Sequence, residues 1–214
     1  MKTEIIKIDQ KNPDKTAIKK AAGIIKKGGL VAFPTETVYG LAADYLNKKA
    51  IEKLCDVKKR PKNKPFTIHI ASVDELVNLS CEVSFFSEKL IEKFWPGPLT
   101  LIFNTKSGKK TGIRMPDNRA ALEFISACGT PVIAPSANIS GRASPHNAED
   151  VLSDLGGMID LVLDGGRVDI GVESTVIDMS ALPYRIIREG AINKSRIADV
   201  GRAFAQSGYQ MSSQ

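Results

Sequence analysis

Short apolar runs, each cut off within a few residues by a proline, a glycine or a charge, alternate along this chain with stretches of helical periodicity. Leu30 to Phe33 is the clearest case, entered through Gly28 and Gly29 and stopped by Pro34, and it predicts a buried strand that ends in a loop. Further strands are predicted at Ile5 to Ile8, Phe66 to Ala71, Leu99 to Asn104, Gly112 to Met115 and Val132 to Ala134, then at Leu161 to Leu163, Ser174 to Asp178 and Arg185 to Arg188. The helices between them begin after Asp14, an N-cap ahead of the apolar face Ala17, Ile18, Ala21, Ala22 and Ile25. Lys48 to Lys58, Val73 to Leu79, Phe85 to Phe94, Arg119 to Ala127, Ala148 to Leu155 and Lys194 to Ala205 follow. Strands separated by helices predict helical layers around a sheet, and the consecutive strands late in the chain predict antiparallel pairing as well. The expectation is an α/β (α+β) fold with a twisted mixed sheet.

With 214 residues, the chain suits one domain, expected over residues 1–206, with a small polar tail over 207–214 that frays. A 43% apolar and 25% charged composition is ordinary for a globular protein. No apolar run approaches the roughly 20 residues that span a bilayer, and charges interrupt the start where a signal peptide needs an apolar segment. A cytoplasmic location without membrane contact is therefore expected. Cys55, Cys81 and Cys128 form no CxxC pair, so neither a disulfide framework nor a zinc site is indicated. The net charge of +6 favours an anionic partner: a nucleotide, a nucleic acid or an acidic metabolite.

Function is expected in loops leaving strand ends, and four are chemically unusual. Pro34 to Leu41 offers Thr35, Glu36 and Thr37 directly after a strand; a helix capped by Thr35 and a ligand contact are equally compatible with it. Lys58 to Lys64 packs five positive charges into seven residues, with Pro61 and Pro65 stiffening the loop. An arginine fork beside lysine point charges suits a polyphosphate, and equally a nucleic-acid backbone. Ala134 to Gly141 presents Ser136 and Asn138, which can bond a ligand or close a turn. Gly171 to Asp178, with Arg188 to Gly190 one strand later, adds Ser174 and an arginine. Arg114 lies between apolar residues of a strand, where an arginine needs a partner, and His69 points to the sheet face opposite Ile68 and Ile70. No Walker-type loop or GxGxxG is present, so an ATP site would be of another kind.

In this order, the segments GGLVAFPTETVYGLAAD, KKRPKNKPFTIHI, WPGPLTLIF, GIRMPDN, PVIAPSANISG, STVID and RIIREGAI resemble the threonylcarbamoyl-adenylate synthase family of the YrdC/TsaC type, over about Gly28 to Gly190. The absence of a long C-terminal extension resembles the short, single-domain branch. The resemblance implies a YrdC-like sheet flanked by helices and enclosing a positively charged cavity. It implies that threonine, bicarbonate and ATP react to threonylcarbamoyl-AMP and pyrophosphate, the precursor for N6-threonylcarbamoyladenosine in tRNA. It further implies that Thr35, His69, Arg114, Ser136 and Ser174 contact threonine or the bicarbonate-derived carboxyl group, with Arg114 pairing the carboxylate of threonine. Arg60, Lys64, Lys110, Asn138, His146 and Arg188 would serve ATP, with Lys58 and Arg60 carrying the charge of the leaving pyrophosphate. His146 stands where the family usually has threonine or serine, and Lys64 where many members have asparagine. Mg²⁺ bridging the phosphates is implied, and tRNA and a downstream threonylcarbamoyl-transfer complex are the further partners. Two alternatives remain open on sequence: an RNA-binding module without adenylation chemistry, and a related enzyme of different activity on the same scaffold.

Overall fold

The computed structural model describes residues 2–206 of the chain; the expected fraying of 207–214 lies outside the described residues. Ten strands and seven helices follow one another as β1 (Glu4–Lys7), α1 (Lys15–Lys26), β2 (Val31–Phe33), β3 (Gly40–Asp44), α2 (Lys48–Lys58), β4 (Thr67–His69), α3 (Glu75–Asn78) and α4 (Phe85–Phe94). They continue as β5 (Leu99–Asn104), β6 (Lys110–Arg114), α5 (Arg119–Cys128), β7 (Val132–Ile133), α6 (Ala148–Leu155), β8 (Leu161–Asp164), β9 (Thr175–Asp178), β10 (Arg185–Arg188) and α7 (Lys194–Gln206). The strands form one sheet in the order β1-β8-β2-β3-β7-β4-β6-β5-β9-β10. Pairs β1/β8, β2/β8, β4/β6 and β5/β9 run parallel, while β2/β3, β3/β7, β4/β7, β5/β6 and β9/β10 run antiparallel, which makes the sheet mixed as expected.

Alternation along the strands divides the core in two. Leu41 and Ala43 of β3 face one side with Leu54, Leu90, Phe94, Val151 and Ile197 from α2, α4, α6 and α7. Ala42 faces the other, with Ile18, Ala22 and Ile25 of α1 and Phe124 of α5. Successive strand side chains point to opposite faces, so a sheet covered on both sides needs apolar residues at every position of its central strands. That rule explains β3, the one strand the sequence did not predict: Gly40-Leu41-Ala42-Ala43 lacks β-branched residues and alternation. Pairing to β2 on one edge and β7 on the other makes it a strand.

Helix α1 starts as expected. The Asp14 carboxylate accepts from the Thr16 and Ala17 amides at 2.5 and 3.1 Å. No helix follows β2, however, so the capping role weighed for Thr35 does not apply. Its Oγ1 donates to the Val38 carbonyl at 2.7 Å and accepts from the Thr37 and Val38 amides, closing a tight turn that leads into β3. Gly40 opens β3 beside Phe33, where a Cβ would lie 3.1 Å from the ring.

Candidate active site

The strand ends around that turn enclose a cavity of 290 Å³. Its wall takes Thr35 and Val38 from the β2–β3 turn, Lys58, Arg60 and Lys64 from the end of α2 and the loop beyond it, His69 from β4, and Arg114 from the end of β6. Ser136 and Asn138 after β7, Glu173 and Ser174 before β9, and Arg188 ending β10 add to it. Ten of the twelve residues singled out in the sequence meet here; Lys110 and His146 do not. Lys110 opens β6, four residues before Arg114 and so roughly 13 Å along the strand, and its ammonium pairs with Asp178 at 3.1 Å. The His146 ring lies beside Gly171, and its carbonyl accepts from the Val168 amide at 2.9 Å.

At the bottom, Arg114 is 5% exposed and largely committed. Its Nη2 donates to Glu36 Oε1 at 2.7 Å and to Thr37 Oγ1 at 2.8 Å, and its Nε to the Gly97 carbonyl at 3.3 Å. Thr37 in turn shares a hydrogen bond with Thr35 at 2.9 Å, so the guanidinium shapes the whole turn. Only Nη1 is left without a protein acceptor among the described residues, which suits a single contact to a small carboxylate better than a two-pronged grip. Two buried polar atoms nearby, Glu36 Oε2 and His69 Nδ1, have no partner among the described residues. Burial, and then the charge of Arg114, push the His69 pKa down to about 3. The imidazole is therefore neutral near pH 7 and a poor proton acceptor.

Lys58 is the most deeply placed of the basic loop, 2% exposed. Its ammonium donates to the Ser136 carbonyl and, at 2.5 Å, to the Asn138 carbonyl, while the Lys58 carbonyl accepts from Ser140 at 2.8 Å. Burial, reinforced by Arg60, lowers its pKa to about 8. The sequence offered Lys58 as a charge for a leaving group; in the structure two of its three ammonium hydrogens hold the 136–140 loop. Asn138 is likewise engaged, its Oδ1 accepting from Ser136 at 2.6 Å and its Nδ2 donating to the Arg142 carbonyl at 2.7 Å. Arg60 stays available: its guanidinium lies 4.8 Å over the Phe66 ring, Nη2 donates to the Pro65 carbonyl at 2.7 Å, and Nε is buried without a partner. Stacking of this kind fixes the plane of a guanidinium without consuming its donors.

Sequence reasoning passed over Arg142 and Glu173, which also line the cavity, and Thr100, whose hydroxyl bonds Ser174 at 2.9 Å. Glu173 lay inside a segment already marked as unusual and Arg142 one residue past another; Thr100 carried no signal, since its β5 reads as plain core. The lining thus sets six basic side chains, Lys58, Arg60, Lys64, Arg114, Arg142 and Arg188, against one carboxylate. No thiol is in that lining, and burial raises the Cys128 and Cys81 pKa values to about 12 and about 11, which leaves those sulfurs protonated and inert.

A mixed ten-strand sheet with this cavity at its strand ends defines the class, and the family model Sua5/yciO/yrdC, described as "Telomere recombination", matches residues 23–190. The chain belongs to this family. It is 43% identical over 192 residues to the threonylcarbamoyl-AMP synthase of Pyrococcus abyssi, covering 86% of this chain and 56% of that protein. It is 41% identical over 202 residues to the threonylcarbamoyl-AMP synthase of Bacillus subtilis, covering 90% and 58%. The crystal structure of P. abyssi Sua5 complexed with L-threonine superposes with a TM-score of 0.88 at 41% identity, over 92% of this chain and 61% of that one. The chain therefore spans a little over half the length of these curated relatives. Among the described residues, no helix is long and apolar enough to cross a membrane.

Proposed function

We propose that this chain is a threonylcarbamoyl-AMP synthase, joining L-threonine, bicarbonate and ATP with release of pyrophosphate to supply tRNA threonylcarbamoylation. The observation that carries this reading is the meeting, in one cavity, of a stacked arginine, a single-handed buried arginine and a row of hydroxyls. The names of the relatives, one of them solved with L-threonine, support it.

The chemistry asks little of the protein beyond placement. The amine of threonine takes up the carboxyl group of bicarbonate with loss of water. One carbamate oxygen then attacks the α-phosphorus of ATP, forming a P–O bond as the bond to pyrophosphate breaks. The nucleophile belongs to the substrate, so neither a reactive thiol nor a basic histidine is required, in keeping with the neutral His69. Holding three small species together turns a rare encounter into an intramolecular step. Arg114 Nη1 is suited to the carboxylate of threonine, with Thr35 and Ser174 as orienting hydroxyls. Arg60 and Lys64 are suited to the charge that grows on the leaving pyrophosphate, and Lys58 keeps the 136–140 loop in place around the site.

Among the described residues no group of three or more His, Cys, Asp or Glu side chains is placed to hold a metal, and the cavity carboxylate Glu173 already pairs with Arg188. Mg²⁺ would accordingly arrive with ATP, ligated by phosphate oxygens and water, and shield phosphate charge. Exposed Lys59 and Lys62 beside the cavity are suited to a tRNA backbone or to the downstream transfer complex. A supplier of tRNA modification belongs in the cytoplasm.

Pyrophosphate release from ATP and Mg²⁺, with threonine and bicarbonate omitted in turn, tests the reading. Release is expected only with both present, and Arg60→Ala is expected to reduce it by at least tenfold. Release that ignores threonine, or none from folded protein, would contradict it.

A further inference from the structure

The cavity that we read as a polyphosphate site carries its own anion. Glu173 is the one acidic residue in its lining, and its two oxygens have different partners. Oε2 pairs with Arg188 Nη1, and Oε1 accepts from Ser144 Oγ at 2.7 Å. The rest of the Arg188 guanidinium is also occupied, with Nε and Nη2 donating to the Ser174 carbonyl at 3.1 and 2.8 Å. The carboxylate therefore sits where an incoming phosphate would seek the guanidinium.

We propose that Glu173 is an internal competitor for the anion site, holding Arg188 until a polyanion displaces it and so setting how tightly polyphosphate is bound and how readily it leaves. This rests on the phosphate reading of the cavity.

Exposure separates this pair from the other one. The Arg114 and Glu36 side chains are each 6% exposed, so neither can change partner without leaving a charge stranded in the interior. The Arg188 and Glu173 side chains are 44% and 35% exposed, and water can take up the carboxylate once it is released. A phosphate offers the freed Nη1 a partner of higher charge, while Nε and Nη2 keep their bonds to Ser174. The exchange would not dismantle the rim, because the backbone there is fixed independently. The Glu173 carbonyl accepts from the Ala191 amide at 3.0 Å, and Gly190 packs so close that a Cβ would lie 2.2 Å from that carbonyl oxygen.

Calorimetric titration with inorganic pyrophosphate provides the test, on the unmodified chain, Glu173→Gln and Glu173→Asp. Glutamine keeps the length and can still accept from Ser144 while losing the charge. It is expected to bind pyrophosphate about five-fold tighter, the equivalent of roughly 1 kcal/mol for an exposed pair. Aspartate keeps the charge and is expected to stay within about two-fold of the unmodified chain. In an Arg188→Gln background, Glu173→Gln is expected to gain less than about two-fold, since no guanidinium remains to be freed. Binding by Glu173→Gln that is unchanged or weaker overturns the competitor role. So does an equal gain in both backgrounds, which would make Glu173 a general negative charge only. If the unmodified chain binds no pyrophosphate at all, the phosphate reading itself fails and this inference falls with it.

Discussion

Replacing Glu36 by leucine would leave the Arg114 guanidinium, 5% exposed, without its counter-charge at the bottom of the cavity. Removing one partner of a buried ion pair costs about 3–5 kcal/mol, because the remaining charge loses its counter-charge where little water can replace it. Arg114→Met has the mirror effect. It strands the Glu36 carboxylate, whose Oε2 already lacks a hydrogen bond, and it deprives Thr37 and the Gly97 carbonyl of a donor. Each single variant is expected to melt roughly 10 °C lower, a chain of this size losing about 2–4 °C per kcal/mol. The double variant Glu36→Leu/Arg114→Met carries no buried charge and is expected to recover most of that loss. The coupling energy between the two sites should then be at least about 3 kcal/mol. Urea unfolding of the four proteins at one pH and one salt concentration measures it. Single losses below about 1 kcal/mol that add within about 0.5 kcal/mol would show that water reaches the pair and that it does not behave as a buried ion pair.

Other substitutions report on other parts of the structure. His69 titrates at about 3 in the folded chain, because of burial and then Arg114, against about 6.5 when unfolded. Below pH 6.5 the unfolded chain therefore binds a proton that the folded chain refuses, and stability falls as pH drops, by up to about 1.4 kcal/mol per pH unit. His69→Gln is expected to flatten that slope in urea midpoints taken between about pH 6.5 and pH 4.5; parallel curves would contradict it. Asn118→Ala removes the N-cap of α5, where Oδ1 accepts from Ala121 at 3.0 Å, together with the bond from Nδ2 to Gln10 at 2.6 Å. A loss of about 1–2 kcal/mol is expected by thermal unfolding, and no loss would show that the cap is idle. Phe66→Leu takes the ring from under Arg60. In the proposed reaction, the KM for ATP is expected to rise several-fold while that for threonine holds, with Phe66→Trp close to the unmodified chain; equal shifts in both KM values would point to general loosening of the loop.

Most of the fold was legible because the strands and helices carry their own local signals. Lys48–Lys58, Phe85–Phe94, Leu99–Asn104, Ala148–Leu155 and Arg185–Arg188 fall where apolar period, caps and breakers put them. β3 was not legible, because Gly40-Leu41-Ala42-Ala43 becomes a strand through its neighbours and not through its own side chains. The candidate site was legible as a set of residues and much less as a set of roles. Charge and hydroxyl content mark Lys58, Asn138 and Arg114, but sequence does not reveal that carbonyls and Glu36 already occupy most of their hydrogen-bonding groups. Lys110 lies outside the cavity lining for a geometric reason: it shares a strand with Arg114 but sits at the opposite end. Glu173 and Arg142 drew no attention because a charged residue in a loop is ordinarily solvated, and only the folded rim gives them an address.

The most direct test follows the carbon of bicarbonate. With carbon-13-labelled bicarbonate, threonine, ATP and Mg²⁺, mass spectrometry is expected to find the label in a threonylcarbamoyl adduct of AMP, formed in step with pyrophosphate. The adduct should disappear when threonine is left out or when Arg60 is replaced by alanine. AMP and pyrophosphate without any labelled adduct, under conditions that preserve one, would contradict the proposed reaction.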